Sequence, residues 1–368
     1  MSAPPTATGP DAPARRPAAR PPAAADWTDR LWTAVLAGDQ AAAAALAVRA
    51  LESGLGPEAL LLDVIAPLQA RIGREWAADR ISVVQEHAAT AVTERVVGVL
   101  SGHPAFAPAA PTRGRATVAC VDGEWHAFPA RLLAEVLTLR GWRVDYLGAQ
   151  CPTPHLIAHL HRTAPDALAL SASLAARLPA AHAAITAAQA AGVPVIAGGA
   201  AFGADGRHAY LLGADAWAAD ARAAADRLAA GLPAPASPHL PVDDLPHLVD
   251  QEYTLVSRSS RQLVAAVMAA LEREFPPVRA YTELQREHTL DDLGHIVEYL
   301  AVALYTGDPG LFHDFLAWTG EVLAARSVPD AFLAFSLRVL AAELRDLPRS
   351  VAVLTAARQP SAAPGHPS

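Results

Sequence analysis

A histidine in a loop between a predicted strand and a predicted helix is the residue best placed to bind a ligand. The apolar run 116–122 is followed by a loop with Glu124, Trp125 and His126, and a helix is predicted to begin near Pro129. Imidazole is a common metal ligand, and a nearby glutamate can fix one ring tautomer by accepting a hydrogen bond. A loop histidine taken alone is more often solvated or helix-capping, so the neighbouring loops must decide.

Small residues follow the third and the fourth apolar run of the same region. Ser171 and Ser173 lie after the third run, and Gly198 and Gly199 end the fourth. Hydroxyl and glycine surfaces let a bulky ligand approach the backbone closely. The same residues are also ordinary in strand-to-helix turns, so they support a ligand site only together with His126.

A third group lies much earlier in the chain, where Trp76 is followed by nine residues and then by Glu86 and His87. A tryptophan can supply an aromatic wall to a ligand. In isolation, Trp76 reads as a core aromatic, and the Glu-His pair reads as a solvated helix face.

Alternating short apolar runs and amphipathic helical segments must position these loops. Apolar runs without polar interruption, separated by helices, predict a doubly wound, parallel, five-stranded sheet of flavodoxin-like type. Ligands on such sheets bind beyond the carboxyl ends of the strands. The five runs are 116–122, 143–148, 167–171, 193–199 and 214–218.

Helical periodicity dominates on both sides of the sheet region, with Gly, Pro or Asp closing each segment. We therefore predict an α/β domain flanked by an N-terminal four-helix bundle and an all-helical C-terminal region. Asp308–Pro309 and Val328–Pro329 mark helix starts. The predicted division is a disordered Pro/Ala-rich tail at 1–25, the bundle at 26–108, the sheet domain at 113–233, a linker at 234–247, the C-terminal region at 248–357 and a tail at 358–368.

The composition excludes several chemistries. All 29 basic residues of the 368 are arginine, and the chain contains neither lysine nor asparagine. Lysine Schiff bases, lysine-bearing phosphate loops and N-glycosylation are thereby excluded. The net charge of -8 argues against non-specific binding to nucleic acid or to an anionic membrane.

Cysteine usage and hydropathy indicate the compartment. Two cysteines, Cys120 and Cys151, are too few for a disulfide framework. No stretch has the length and apolar character of a signal peptide core or of a membrane span. We therefore expect a soluble, cytoplasmic protein.

The sheet region resembles the cobalamin-binding module of methionine synthase and methylmalonyl-CoA mutase. That family has D-x-H-x-x-G after the first strand, serines after the third and Gly-Gly after the fourth. Here the first motif reads Glu124-x-His126-x-x-Pro129, with a longer acid and a proline in place of the glycine. The resemblance implies that His126 replaces the cofactor's own base as lower cobalt ligand. The displaced nucleotide tail would lie near Ser171, Ser173, Gly198 and Gly199.

The spacing W-x9-E-H resembles the helical bundle of adenosylcobalamin photoreceptors. That resemblance implies that Trp76 lies over the upper corrin face against the adenosyl group, with Glu86 and His87 nearby. Ala77 stands where some of these photoreceptors have a histidine that caps cobalt after photolysis. Together the two resemblances cover about residues 26–233. They imply a light sensor rather than an enzyme, with an unnamed downstream partner and no direct nucleic acid or membrane binding.

The C-terminal region resembles helical sensor domains of globin-like build, and its combination with a cobalamin module resembles the photocobilins, which also bind biliverdin. A bilin needs cations for its propionates, polar partners and aromatic walls. Because region 248–357 contains no cysteine, such a bilin would be held non-covalently or would reach Cys120 or Cys151. The candidate contacts are Arg279, Tyr281, His288, His295, Tyr299, His313 and Trp318.

Three alternatives remain open from the sequence. The C-terminal helices are equally compatible with a bundle that forms a homodimer. A corrinoid methyl carrier serving a methyltransferase would use the same His126, but it would favour a smaller residue over the upper face. A heme or stress sensor would use His288 or His295 as its iron ligand.

Overall fold

The computed structural model describes residues 23–107, 113–235 and 245–357, so the predicted linker core and most of both predicted tails lie outside the described residues. The N-terminal part forms four helical segments. The first begins at Ala24, inside the segment predicted to be a tail. The segments are α1 (Ala24–Leu36), α2 (Gln40–Glu52), α3 (Pro57–Ala59 continuing through Leu60–Ile65 to Ala66–Ala77) and α4 (Val83–Ser101).

Helix α3 carries Trp76 in its last turn and changes geometry part of the way along. Pro67 has no N–H to give to the carbonyl four residues earlier, so a regular α-helix is interrupted there. The preceding segment, Leu60–Ile65, is π-helical, and Ala66 N–H bonds to the Leu61 carbonyl. Such π segments are frequent at functional sites. The helix therefore continues past the proline and reaches Trp76.

Four charged residues tie the start of α3 to the sheet domain. The Glu58 carboxylate accepts hydrogen bonds from Arg140 at 2.8 and 2.9 Å and from Arg222 at 3.2 Å. Arg222 also contacts Asp63 at 3.2 Å. These arginines hold the pKa of Glu58 below its usual range, chiefly through the hydrogen bond from Arg140. The N-terminal helices are thus fastened to the sheet domain at the end of α3 far from Trp76.

The middle of the chain forms the predicted five-stranded parallel sheet, in the order β2-β1-β3-β4-β5. This order is one of the two common doubly wound arrangements, with its ligand crevice at the β1/β3 switch point. The strands are β1 (Arg115–Cys120), β2 (Arg143–Gly148), β3 (Ala167–Ser171), β4 (Val195–Gly198) and β5 (Ala216–Ala218).

Three of these strands are shorter than the predicted apolar runs. Val121 and Asp122 fall outside β1, so the loop that carries His126 starts earlier than predicted. The connecting helices are mostly built from alanine and leucine and bury one face on the sheet. They are α5 (Phe128–Leu139), α6 (Thr153–Thr163), α7 (Leu178–Ala190), α8 (Arg207–Leu211) and α9 (Ala221–Ala230).

The described residues of the C-terminal region form five α-helices, of which one starts at Pro309, as predicted, and another starts at Asp330, directly after Pro329. They have their own core, which includes Val256, Leu300 and Phe312. No helix in the described part of the chain is long and apolar enough to span a membrane. The helices are α10 (Glu252–Glu274), α11 (Glu283–Thr306), α12 (Pro309–Ala325), α13 (Asp330–Glu343) and α14 (Pro348–Ala356).

The C-terminal helices pack on the sheet domain through polar contacts as well as apolar ones. The His182 ring on α7 is fully buried, with Nδ1 2.8 Å from the Tyr305 hydroxyl on α11. Asp308 lies 2.9 Å from His208 Nε2 and 3.1 Å from Arg207. The third region therefore covers the edge of the sheet domain next to the loops that follow β3 and β4.

Candidate functional site

His126 and Glu124 form the centre of the site. The Glu124 side chain is fully buried, and one of its oxygens lies 2.7 Å from His126 Nδ1 and 2.8 Å from the His126 backbone nitrogen. The His126 side chain is 56% exposed, and among the described residues no hydrogen-bond partner reaches Nε2. A carboxylate that accepts from Nδ1 leaves the Nε2 lone pair available to a metal.

Glu124 also joins two loops of the crevice. Its second oxygen accepts hydrogen bonds from the backbone N–H groups of Ser173 at 2.7 Å and Leu174 at 3.0 Å. The loop after β1 is thereby fixed to the loop after β3. A buried carboxylate with this many donors is stabilised in its charged form.

The charge of this pair follows from burial and hydrogen bonding together. Burial raises the pKa of Glu124, but hydrogen bonds from the His126 side chain and from three backbone amides outweigh it and leave the pKa at about 2. The hydrogen bond that His126 donates to the Glu124 carboxylate raises the pKa of His126, and the negative charge of Glu86 adds to this effect.

Backbone geometry sets the path of the His126 loop. Gly123 has φ +78, a conformation that side chains rarely adopt, and a Cβ there would meet Arg177 at 3.4 Å. The Glu124 carbonyl accepts a hydrogen bond from Gln150 N–H at 3.0 Å. Trp125 is 73% exposed, so a large apolar ring stands beside His126 at the mouth of the crevice.

An apolar slot opens beside the sheet, between α5 and the ends of β3 to β5. Its volume is about 110 Å³, and Ser171, Gly198 and Gly199 line it. Pro129 lines it as well, so the residue that departs from the family motif faces this slot. Ser173 does not line the slot; its backbone N–H donates a hydrogen bond to Glu124.

Gly199 has a structural task besides lining the slot. Its φ is +102, and a Cβ on this residue would lie 2.2 Å from the Ala172 carbonyl oxygen. The loop after β4 therefore packs directly on the loop after β3, which only glycine permits.

Trp76 lies in the last turn of α3, and Glu86 and His87 lie near the start of α4. Ser82 caps α4, so Glu86 and His87 fall in its first two turns. Their side chains contact each other, with 2.5 Å between Glu86 Oε2 and His87 Nδ1. The Trp76 ring is half-buried and lies 6.3 Å from the ring of Trp318 in α12. Trp318, from the C-terminal region, therefore lies next to Trp76.

A cavity of about 810 Å³ lies between the sheet domain and the C-terminal helices. One wall is aromatic, with Tyr299 stacked on Phe315 at 3.8 Å and Trp318 6.3 Å from Phe315. Arg207 and His208 line the opposite, polar side. His208 is 2% exposed, and its Nδ1 has no hydrogen-bond partner among the described residues.

The structure brings only two of the seven candidate bilin contacts, Tyr299 and Trp318, into this cavity. Arg279 instead bonds to the carbonyls of Glu272 at 2.6 Å and Arg273 at 3.1 Å, at the C-terminus of α10. Tyr281 packs on the core of the C-terminal helices. His288 and His295 are exposed and His313 is half-buried, and none of the three lines the cavity.

Several residues of the site were not predicted from the sequence. Phe315, Arg207 and His208 line the cavity, and Arg326 stacks on Trp76 at 5.3 Å. For Phe315 the sequence offers one weak signal. Tyr299 and Phe315 belong to helices joined by a short Gly-Asp-Pro turn, so the two helices are expected to be neighbours. No short sequence motif indicates that these two helices contact the sheet domain.

Two family models match the chain, both described as B12 binding domains. One covers residues 114–229, which is the sheet domain, and the other covers 27–101, which is the N-terminal helical part. The doubly wound sheet and the two family models agree: residues 27–101 and 114–229 are B12 binding domains.

Parts of the chain are similar to three known proteins. The HTH-type transcriptional repressor CarA of Myxococcus xanthus is 35% identical over 92 residues, which is 25% of this chain and 31% of that protein. The chain thus spans less than a third of this relative. The monomethylamine corrinoid protein of Methanosarcina barkeri is 20% identical, with a TM-score of 0.49, covering 55% of this chain and 97% of that one. A cobalamin-binding protein of Desulfitobacterium hafniense DCB-2 is 18% identical, with a TM-score of 0.30, covering 55% and 96%.

Proposed function

We propose that this chain is a light sensor that binds adenosylcobalamin, with His126 as the lower cobalt ligand. The arrangement of the Glu124–His126 pair carries this proposal, because a buried carboxylate fixes Nδ1 and leaves Nε2 free at the carboxyl edge of the sheet. The donor chemistry fits cobalt, and the apolar slot beside it suits a flat, displaced base. The protein acts as a switch rather than as an enzyme.

When bound, adenosylcobalamin supplies a cobalt–carbon bond that light can cleave. His126 would bind the cobalt, and Glu124 would keep the imidazole in the tautomer that binds. Trp76 would pack against the adenosyl group, and the N-terminal helices would cover the cofactor as a four-helix bundle. Since Glu58 fastens the other end of α3, a change above the corrin is expected to move the Trp76 end. A switch requires one element that can occupy two positions, and the Trp76 end of α3 is proposed to be that element.

Replacing Trp76 with alanine is expected to reduce the preference for adenosylcobalamin over methylcobalamin by about fivefold to tenfold, because the aromatic wall matched to the larger group is removed. Dissociation constants for both cofactors are measured in the dark by absorption titration. The matched control is Trp32→Ala, a tryptophan in α1 that stacks on Arg71 at 4.1 Å. If the wild type binds both cofactors equally well, the methyl-carrier function is favoured instead.

We further propose that the cavity between the sheet domain and the C-terminal helices holds a linear tetrapyrrole such as biliverdin. Its volume lies in the range of about 300–1,000 Å³ common for small-molecule sites. The stacked rings of Tyr299 and Phe315 offer an apolar wall, and Arg207 offers a cation for a propionate. Asp205 and Asp314 also line the cavity and can accept from pyrrole N–H groups.

The bilin is proposed to bind without a thioether link. Burial raises the pKa of Cys120 to about 12, and it also raises the pKa of Cys151. A thiol with a raised pKa is a poor nucleophile, since the thiolate is the reactive form. Cys120 is moreover fully buried in the sheet.

Production of the full chain with biliverdin is expected to give a red-absorbing protein, and Phe315→Ala is expected to reduce that absorbance strongly by opening the aromatic wall. His288→Ala is the matched control, because His288 is exposed and does not line the cavity. Absence of red absorbance in the wild type would remove the bilin proposal. A Soret band after supply of heme would favour the heme sensor.

A further inference from the structure

Arg326 joins the C-terminal region to the end of helix α3. Its guanidinium donates to the carbonyl oxygens of Trp76 at 3.1 Å and Ala77 at 3.3 Å, and it lies over the Trp76 ring at 5.3 Å. Asp79, just after the helix, is 3.9 Å away. These carbonyls belong to the last turn of α3, and the Trp76 carbonyl also accepts a hydrogen bond from the Asp79 N–H at 3.0 Å. One side chain thus fixes both the backbone and the ring of Trp76.

Trp318, which lies in the same helix as Arg326, also contacts Trp76. Arg326 is the C-cap of α12, and Trp318 lies two turns earlier, so both side chains come from one rigid element. The Trp318 ring is 6.3 Å from the Trp76 ring at an interplanar angle of 38°. Contacts of the helix end with a cation, and of the Trp76 ring with a guanidinium and an indole, restrict rotation of the Trp76 side chain.

The two ends of α3 are therefore held by different parts of the chain. Glu58, at its start, is bound by Arg140 and Arg222 of the sheet domain. Trp76, at its end, is held by Arg326 and Trp318 of the C-terminal region. The orientation of the Trp76 ring consequently depends on the position of α12, although α12 is more than 200 residues away in the sequence.

We propose that Arg326 and Trp318 position Trp76, so that the C-terminal region shapes the wall above the cobalamin. They are positioning residues, because they act on the upper ligand through Trp76. The inference rests on the proposed function, in which Trp76 packs on the adenosyl group. It adds a physical path by which a change above the corrin reaches the third region.

The test measures the preference of the full chain for adenosylcobalamin over methylcobalamin, in the dark and without bilin. Arg326→Leu is expected to lower the ratio of the two affinities about fivefold, because the cation and both carbonyl bonds are lost. Trp318→Ala is expected to lower it as well, and it serves as the second variant because Trp318 is 45% exposed and its truncation leaves little cavity. Arg338→Leu is the matched control, since Arg338 stacks on Phe335 at 5.2 Å within the C-terminal region.

A double-mutant cycle separates positioning from a general loss of structure. In the Trp76→Ala background, Arg326→Leu is expected to leave the affinity ratio unchanged, since the ring through which it acts is absent. An equal decrease in both backgrounds, or no decrease in the wild-type background from either variant, overturns the inference while leaving the proposed function intact. A wild type that fails to discriminate between the cofactors overturns the proposed function and this inference with it.

Discussion

Replacement of His126 by alanine is expected to lower the affinity for cobalamin at least tenfold and to change the absorption spectrum of the bound cofactor. The imidazole supplies the coordinate bond, and Glu124 holds Nδ1 at 2.7 Å so that Nε2 keeps its direction. Loss of groups that orient a metal ligand already costs about 10–100-fold in metal affinity, and loss of the ligand itself is expected to cost no less.

The measurement is an absorption titration of the full chain with cobalamin, followed by comparison of the bound spectra. His161→Ala is the control, because His161 is exposed in the last turn of α6, at the opposite end of that helix from the ligand crevice. An unchanged bound spectrum in His126→Ala would falsify the assignment of the lower ligand, whatever happened to the affinity.

The parts of the site that lie on one loop or one helix were predictable from the sequence. His126 follows an apolar strand, and in a parallel sheet the residue after such a strand must lie at the ligand edge. The five parallel strands were predicted for the same reason, because uninterrupted apolar runs alternate with helical segments. Ser171 and Gly198 line the slot because β3 pairs with β1 and β4 pairs with β3, so the carboxyl ends of these strands lie side by side at one edge of the sheet.

The parts that depend on contacts between distant segments were not predictable. The sequence indicates that Glu124 can hold His126, but it does not show that the same carboxylate binds the amides of Ser173 and Leu174, about fifty residues later. Trp318 was assigned to a bilin and in fact also contacts Trp76. Arg279 was predicted to bind a bilin propionate, but it donates hydrogen bonds to backbone carbonyls at the end of α10 instead. Periodicity specifies which face of a helix is apolar, but not which neighbour that face meets.

Glu124→Gln is expected to destabilise the cofactor-free protein by about 2–4 kcal/mol at neutral pH. The carboxylate accepts from two donors on each oxygen, and an amide can present an acceptor to only one of these pairs. Two buried N–H groups would then face an NH2 group, and an unsatisfied buried donor costs about 1–3 kcal/mol. Urea unfolding at pH 7 measures the loss.

The pH dependence of this loss has a definite sign. The pKa of Glu124 is about 2 in the folded protein, against 4.5 for an ordinary glutamate, so ionised Glu124 favours the folded state. A depressed pKa contributes stability above the unfolded value, and the contribution is lost as the pH falls through the folded one. The difference between wild type and Glu124→Gln is therefore expected to be full above about pH 5 and to shrink toward pH 3.

Glu135→Gln provides the matched control, because Glu135 pairs with Arg131 one turn away on the same helix and its loss is expected to cost no more than about 0.5 kcal/mol. Comparison with His126→Ala then separates the two tasks of Glu124. His126→Ala removes one side-chain donor and leaves the backbone bonds to the loop after β3, so its unfolding free energy is expected to change less than that of Glu124→Gln. If both variants lose cobalamin affinity but only Glu124→Gln loses stability, the carboxylate both orients the ligand and joins the two loops of the crevice. Equal stability losses would instead show that the imidazole, rather than the backbone amides, accounts for the stabilising contacts of Glu124.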